Sequence, residues 1–330
     1  MLIEKLRMRL PSAVAVAAVA TLTLAACGSG NANASSSGTD SLKVSYSEVV
    51  ADELPLWIAK DSGLFSKHGL NVTLTSLSSS DGFPALVAGQ TQLASIGASE
   101  LVSGAAAGAS VSYLATLTPV FPYKLYAKVN SGAELKGKRI GITSTSGSLY
   151  IATLAALKQL GLSPSDVKLI TLGSVTNVNN ALISGSIDAA ISHPPASAKI
   201  ESAGFHSLLD LAQQKIPTSN VGIAVTNSYK TSHHKQVQEF IAALQEAIAR
   251  EKNDKAYAIQ ELKSHLGVSD ETALDETWQY YAQEVLPTVP TPTVAQLATS
   301  QQVLGEKRPD VAKLDLSKLV DPSFLTSSSS

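Results

Sequence analysis

Two short runs of this sequence suit holding a ligand better than transforming one. Ser144-Thr145-Ser146-Gly147-Ser148 stands before an apolar helical stretch, so hydroxyls and the unpaired N–H groups of a helix start converge on one spot. Ser79-Ser80-Asp81-Gly82 offers the same chemistry earlier in the chain. Both runs also read as ordinary helix capping, so ligand contact and capping stand as alternatives for each. Carboxylates gather in the neighbouring loops: Glu48, Asp52, Glu53, Asp81 and Glu100. Beyond the first 26 residues the arginines are Arg139, Arg250 and Arg308, placed by the pattern on a strand start, a C-terminal helix and a late loop. No arginine clamp for an anion is visible. An isolated anion is costly to bury among carboxylates, which favours a ligand that is uncharged, zwitterionic or cationic. Helix N-termini work the other way, each favouring a negative group by roughly 0.3–1 kcal/mol.

The signatures of catalysis are missing. There is no His-Glu-x-x-His, no paired-cysteine metal spacing, no Gly-x-x-x-x-Gly-Lys-Ser/Thr phosphate loop and no Gly-x-Ser-x-Gly elbow. The reading is therefore a non-enzyme without catalytic residues, metal or cofactor. With 25 basic against 27 acidic residues and a formal charge of −2, nothing attracts nucleic acid.

The elements that position these loops come in two copies. The first reads strand (42–46), helix (55–61), strand (72–75), helix (83–88), strand (93–96). The second reads strand (139–142), helix (148–160), strand (168–171), helix (177–184), strand (189–192). Alternating strands and helices predict parallel sheets, and helix-spaced apolar residues after Ser232 predict a helical tail. Ligands bind beyond the carboxyl ends of such strands. The rims are then 47–54, 78–82 and 97–100 on one side, and 143–148, 173–176 and 193–195 on the other. The candidate ligand contacts drawn from them are Glu53, Leu54, Ser80, Asp81, Gly82, Ser99 and Glu100, facing Ser146, Gly147, Ser148 and His193. His193 ends a strand, where its ring can donate or accept a hydrogen bond. Trp57, Tyr46 and Tyr150 are candidate apolar walls, with core packing the better reading for Trp57.

The N-terminus has the character of an export signal. Lys5, Arg7 and Arg9 precede an apolar run that ends in Leu24-Ala25-Ala26-Cys27, and Cys27 is the sole cysteine, so no internal disulfide can form. The run resembles the bacterial lipoprotein box, with Cys27 as the lipidated residue. The segmentation is a signal peptide (1–26), a flexible tether (27–41), lobe I (42–128 with 221–330) and lobe II (129–220), joined by two crossovers that would act as a hinge.

Pro55-Leu56-Trp57-Ile58-Ala59-Lys60 through Gly63-Leu64-Phe65, His68-Gly69-Leu70-Asn71-Val72, Leu135-Lys136-Gly137-Lys138-Arg139-Ile140-Gly141 and Gly185-Ser186-Ile187-Asp188-Ala189 occur here in order. Together they resemble the extracytoplasmic solute-binding proteins of ABC importers, in the nitrate, sulfonate, taurine and thiamine-precursor group. The resemblance implies the type II periplasmic-binding-protein fold, two α/β lobes around a cleft. It also implies a small-molecule ligand, importer membrane subunits as partners, a monomer outside the cell membrane and anchorage to the bilayer through Cys27. Relatives hold ligands with the loop before the second helix, which points to Ser80 and Gly82. Sulfonate binders often carry an aromatic or acidic residue where this chain reads His193-Pro194-Pro195, a departure that speaks against a sulfonate. A thiamine-pyrimidine synthase shares the fold and supplies the enzymatic alternative, and a ligand-sensing surface module is a third.

Overall fold

The computed structural model describes residues 40–325; the signal, Cys27 and nearly all of the tether lie outside the described residues, as do the side chains of Ser79 and Ser80. The first sheet contains β1 (Asp40–Tyr46), β2 (Leu70–Ser76), β3 (Leu93–Ile96), β4 (Val111–Thr116) and β10 (Gly222–Thr226). The second contains β5 (Lys124–Ala127), β6 (Arg139–Ile142), β7 (Lys168–Thr171), β8 (Ala189–Ser192) and β9 (His206–Asp210). Their orders, β2-β1-β3-β10-β4 and β7-β6-β8-β5-β9, are the same pattern twice.

In each sheet four strands point the same way, as a mainly parallel sheet requires, and one is inserted against them: β10 lies antiparallel to β3 and β4, and β5 antiparallel to β8 and β9. These two inserted strands are those that arrive from the other half of the chain. The strand Lys124–Ala127, assigned to lobe I on sequence, therefore belongs to the second sheet, and the outward crossover lies between Thr116 and Lys124. Two β-rich segments flanking a proline turn look alike locally; only their distant pairing partners tell them apart. Strands β3, β4 and β8 are covered on both faces, and every residue in them is buried.

The helices of the first lobe are α1 (Leu54–Asp61), α2 (Leu64–Lys67), α3 (Ser79–Val87) and α4 (Ala98–Ala106). The second lobe has α5 (Ser148–Gln159), α6 (Val175–Ile183) and α7 (Ala196–Ser202). The tail adds α8 (Asn227–Ser232), α9 (His234–Asn253), α10 (Lys255–Leu266), α11 (Glu271–Trp278), a π-helical segment (Gln279–Val285), α12 (Val294–Gly305) and α13 (Pro309–Ala312). In α9 the apolar stripe of Val237, Phe240, Ile241, Leu244 and Ile248 is fully buried, and Phe240 stacks on Phe65 with centroids 5.0 Å apart. Trp57 is core, stacked on the His265 ring at 4.4 Å.

The two crossovers pair with each other. Leu117 N donates to Val221 O (2.9 Å), Asn220 N to Thr118 O (3.0 Å), Thr218 N to Pro119 O (3.0 Å) and Val221 N to Thr118 Oγ1 (2.6 Å). α12 lies behind this ribbon: Ser219 N donates to Gln296 O (3.1 Å), while Val303 and Leu304 pack on the core of the second lobe. The tail thus touches both lobes, although the sequence division gave it to the first alone.

Candidate functional site

A cavity of about 340 Å³ opens between the lobes. From the first lobe come Ser47, Glu48, Val50, Asp52, Ser78, Gly97, Ser99, Glu100 and Ser103; from the second come Tyr123, Thr143, Ser144, Ser146, Gly147, Ser148, Leu149, Gly173, Val175 and His193; Asn220 and Val221 belong to the return crossover. The strand ends and helix starts of both sheets face each other here, as the doubly repeated topology requires.

Six of the sequence candidates meet in this lining: Ser99, Glu100, Ser146, Gly147, Ser148 and His193. Glu53, Leu54, Asp81 and Gly82 do not. A single 3-10 turn (Ala51–Glu53) explains the first pair, because it sends Asp52 to the cleft and its neighbour Glu53 into the core. There Glu53 is fully buried and its Oε2 accepts from Ser95 Oγ (2.7 Å). Burial pushes this carboxyl well above the usual range against that hydroxyl, with Asp52 adding repulsion. Leu54 opens α1 inside the core. The second pair fails because α3 starts at Ser79, earlier than its apolar pattern begins. Asp81 then accepts from Ser78 Oγ (2.6 Å), and Gly82 packs near Ile96 and Ser45. Among the described side chains of that loop, Ser78 reaches the cavity. The side chain of Ser80 lies outside the described residues. Of the proposed aromatic walls, Tyr46 and Tyr150 are half-buried elsewhere and Tyr123 takes their place.

The cavity floor is a polar network that crosses the chain. Asp52 is buried, its Oδ1 accepting from Asn220 Nδ2 (3.1 Å) and its Oδ2 from the Tyr281 hydroxyl (2.8 Å). Tyr123 Oη donates to Asn220 Oδ1 (3.1 Å). The π-helical segment sets Tyr281 at this depth, and the Lys252 ammonium holds its end through the carbonyls of Ala282 and Leu286. His193 is 5% exposed, with its ring 5.6 Å from that of Tyr123 and 6.3 Å from that of Tyr281. Its Nδ1 lies 2.9 Å from Pro194 O. A carbonyl oxygen only accepts, so Nδ1 carries the proton and Nε2 is the acceptor of the neutral ring. Burial raises Glu48 from the ordinary carboxylate range, with His193 opposing and Asp52 adding to the rise. Burial likewise raises Glu100, whose Oε2 accepts from Ser99 Oγ (2.8 Å). No lysine or arginine is among the described lining residues.

The profile of the family described as NMT1/THI5 like matches residues 51–256, from the turn that carries Asp52, through both crossovers, past the end of α9. The chain belongs to the NMT1/THI5-like family. This agrees with the resemblance carried by the sequence motifs, and the two-lobed architecture is the one it implies. The structure is similar to the periplasmic aliphatic sulphonate-binding protein of Escherichia coli, with a TM-score of 0.71 and 20% identity over 85% of this chain and 97% of that one. It is similar also to the periplasmic nitrate-binding protein of Synechocystis, with a TM-score of 0.69 and 16% identity over 87% of each chain. At these identities the likeness is one of fold. A curated relative is the 4-amino-5-hydroxymethyl-2-methylpyrimidine phosphate synthase of Uromyces fabae, 28% identical over 144 residues, 42% of this chain and 41% of that one. This NMT1/THI5-like chain thus spans about two fifths of the length of the curated relative it matches.

Proposed function

We propose that this chain is the extracytoplasmic solute-binding component of an ABC importer, a monomer anchored to the cell membrane through a lipidated Cys27. It would capture an uncharged, zwitterionic or cationic small molecule in the cleft and release it to the importer's membrane subunits. The observation that carries this reading is a cavity lined from both lobes on either side of a two-segment ribbon, because only a ligand touching both lobes favours a closed state over an open one. The names of the sulphonate- and nitrate-binding proteins of like fold support the transport role. The lining of Glu48, Asp52 and Glu100, with no lysine or arginine among the described lining residues, supports a ligand rich in hydrogen-bond donors.

Thermal-shift and calorimetric screening with an alkyl sulfonate, its amino-sulfonate counterpart and neutral pyrimidines tests the ligand class, since a ligand at 100 times its dissociation constant adds about 2.7 kcal/mol of stability. Small-angle scattering should show compaction with the hit. Recovery of a bound pyrimidine chemically unchanged separates this reading from an enzymatic one, for which the partial match to a pyrimidine phosphate synthase speaks. Membrane fractionation of wild type and Cys27→Ala tests the anchor: an unchanged distribution sinks it.

A further inference from the structure

The amino end of α5 is where a periodic α/β lobe would hold an oxyanion. Gly147 caps it without a side chain of its own, and the first N–H groups of a twelve-residue helix have no intrahelical acceptor. In this chain a carboxylate from the opposite lobe already faces that position. Glu100 Oε1 lies 4.0 Å from the point where a Cβ on Gly147 would stand. Its Oε2 is 2.6 Å, and Ser148 Oγ 2.2 Å, from the point where a Cβ on Gly97 would stand, so the lobe I carboxylate and the first hydroxyl of α5 converge on a single glycine.

Three donors elsewhere in the cleft are engaged by the protein's own acceptors. Asn220 Nδ2 serves Asp52, the Tyr123 hydroxyl serves Asn220, and the Ser99 hydroxyl serves Glu100 itself. Beside the hydroxyls of Ser47, Ser103 and Thr143, the lining presents the carboxylates of Glu48 and Glu100.

We propose that Glu100 is the specificity-determining residue of the cleft: its carboxylate stands at the amino end of α5 in place of a ligand oxyanion, rejects sulfonate, nitrate and carboxylate groups, and offers an acceptor to a ligand N–H instead. This deepens the solute-binding reading and rests on it for the location of the ligand. Like charges held in one desolvated pocket repel strongly, whereas removing the charge restores a free helix terminus flanked by serine hydroxyls.

The test uses methanesulfonate and nitrate as probes, titrated calorimetrically into the intact wild-type protein, Glu100→Gln, Glu100→Ser and the charge-retaining Glu100→Asp. The expected result is at least about a tenfold gain in methanesulfonate affinity for Glu100→Gln and Glu100→Ser, and none for Glu100→Asp. A Gly147→Phe change added to Glu100→Gln should abolish the gain, placing it at α5. Glu100→Ser carries the comparison if Glu100→Gln is unstable, with circular dichroism confirming the fold of each. Methanesulfonate binding to wild type as tightly as to the neutral variants would overturn the proposal, as would folded neutral variants without a gain. A parallel titration of wild type with 4-aminopyrimidine and taurine keeps the two readings apart. Binding of either by wild type, without an anion gain in the variants, removes the role of Glu100 and leaves solute capture standing. An anion gain in the variants supports Glu100 whichever of these solutes wild type binds.

Discussion

The hydroxyl of Tyr281 donates to Asp52 Oδ2 at 2.8 Å, joining a residue of the C-terminal π-helical segment to one in the first turn of the chain's first lobe. The bond satisfies one side of a buried carboxylate on the cavity floor while Asn220 satisfies the other. Tyr281→Phe keeps the ring and leaves Oδ2 short of a donor. We expect a loss of about 1–2 kcal/mol in denaturant unfolding, and weaker binding of whichever probe the screen yields. Unchanged stability and affinity would mean the bond is made equally well by solvent.

Gly97 is a point of close approach between the lobes. A valine there would press on Ser148 Oγ and on the backbone carbonyl of Asn220, 3.2 Å from the Cβ position. The hydroxyl can turn aside; the carbonyl cannot. Gly97→Val should hold the cleft open, with scattering curves that no longer contract on ligand addition and an affinity reduced about tenfold, or ~1.4 kcal/mol.

Glu251 gives the protein a pH dependence of its own. It lies in α9, 1% exposed, with Oε2 unpartnered among the described residues, and burial pushes its pKa up to about 8 against the pull of Lys252. The folded state therefore keeps a proton that the unfolded chain loses near pH 4.5. The associated stability is complete below that pH and drains as pH rises through about 8, by roughly 5 kcal/mol in all. Glu251→Gln should flatten the decline between pH 5 and 8 in urea titrations. Parallel curves for the two proteins would refute it.

Asp188 behaves in the opposite sense. Its carboxylate takes Arg139 Nε (3.0 Å), Nη2 (2.8 Å) and the Arg139 backbone N–H (2.8 Å), which draw its pKa down to about 2. That stability is present above the unfolded value near 3.8 and disappears as pH falls toward 2. Both side chains are substantially exposed, so screening limits the effect: Asp188→Asn should cost about 1 kcal/mol at neutral pH and nothing at pH 2, by thermal denaturation.

The motifs that made the family legible are fasteners rather than ligand contacts. Arg139 and Asp188 come from two of them and meet at the base of the second sheet, where Arg139 Nη2 also donates to Gly185 O (3.0 Å). From two others, His68 bridges Glu239 and Glu246 of α9, each at 2.8 Å, and Phe65 stacks on Phe240. The segments β3, β6, β7 and β8 fall where strand patterning puts them; β3 and β8, covered on both faces, write their burial into every residue, whereas the edge strand β7 is exposed at both ends. The rim loops were legible for the same reason: they are whatever follows those strands. Which residue of a rim faces inward was not. Asp52 and Glu53 differ by one position in a 3-10 turn, and no periodicity distinguishes the one at the cleft from the one in the core. Asn220, Tyr123 and Tyr281 reach the site through pairings 97 to 229 residues apart in sequence, and no local pattern announces a partner so distant.

The exchange of strands between the halves sets an order on the birth of the molecule. Every strand of the second sheet lies within residues 124–210, so that sheet can be completed as soon as Asp210 has emerged from the ribosome, with Val303 and Leu304 of α12 joining its core later. The lobe begun first must wait longer, because β10, which separates β3 from β4, ends only at Thr226. Until then β3 and β4 each present an unpaired edge across a strand-wide gap, the arrangement most prone to capturing a strand from another nascent chain. The sheet begun first is thus the last to close, and the interval in which a chaperone is most needed falls between the emergence of Thr116 and that of Thr226.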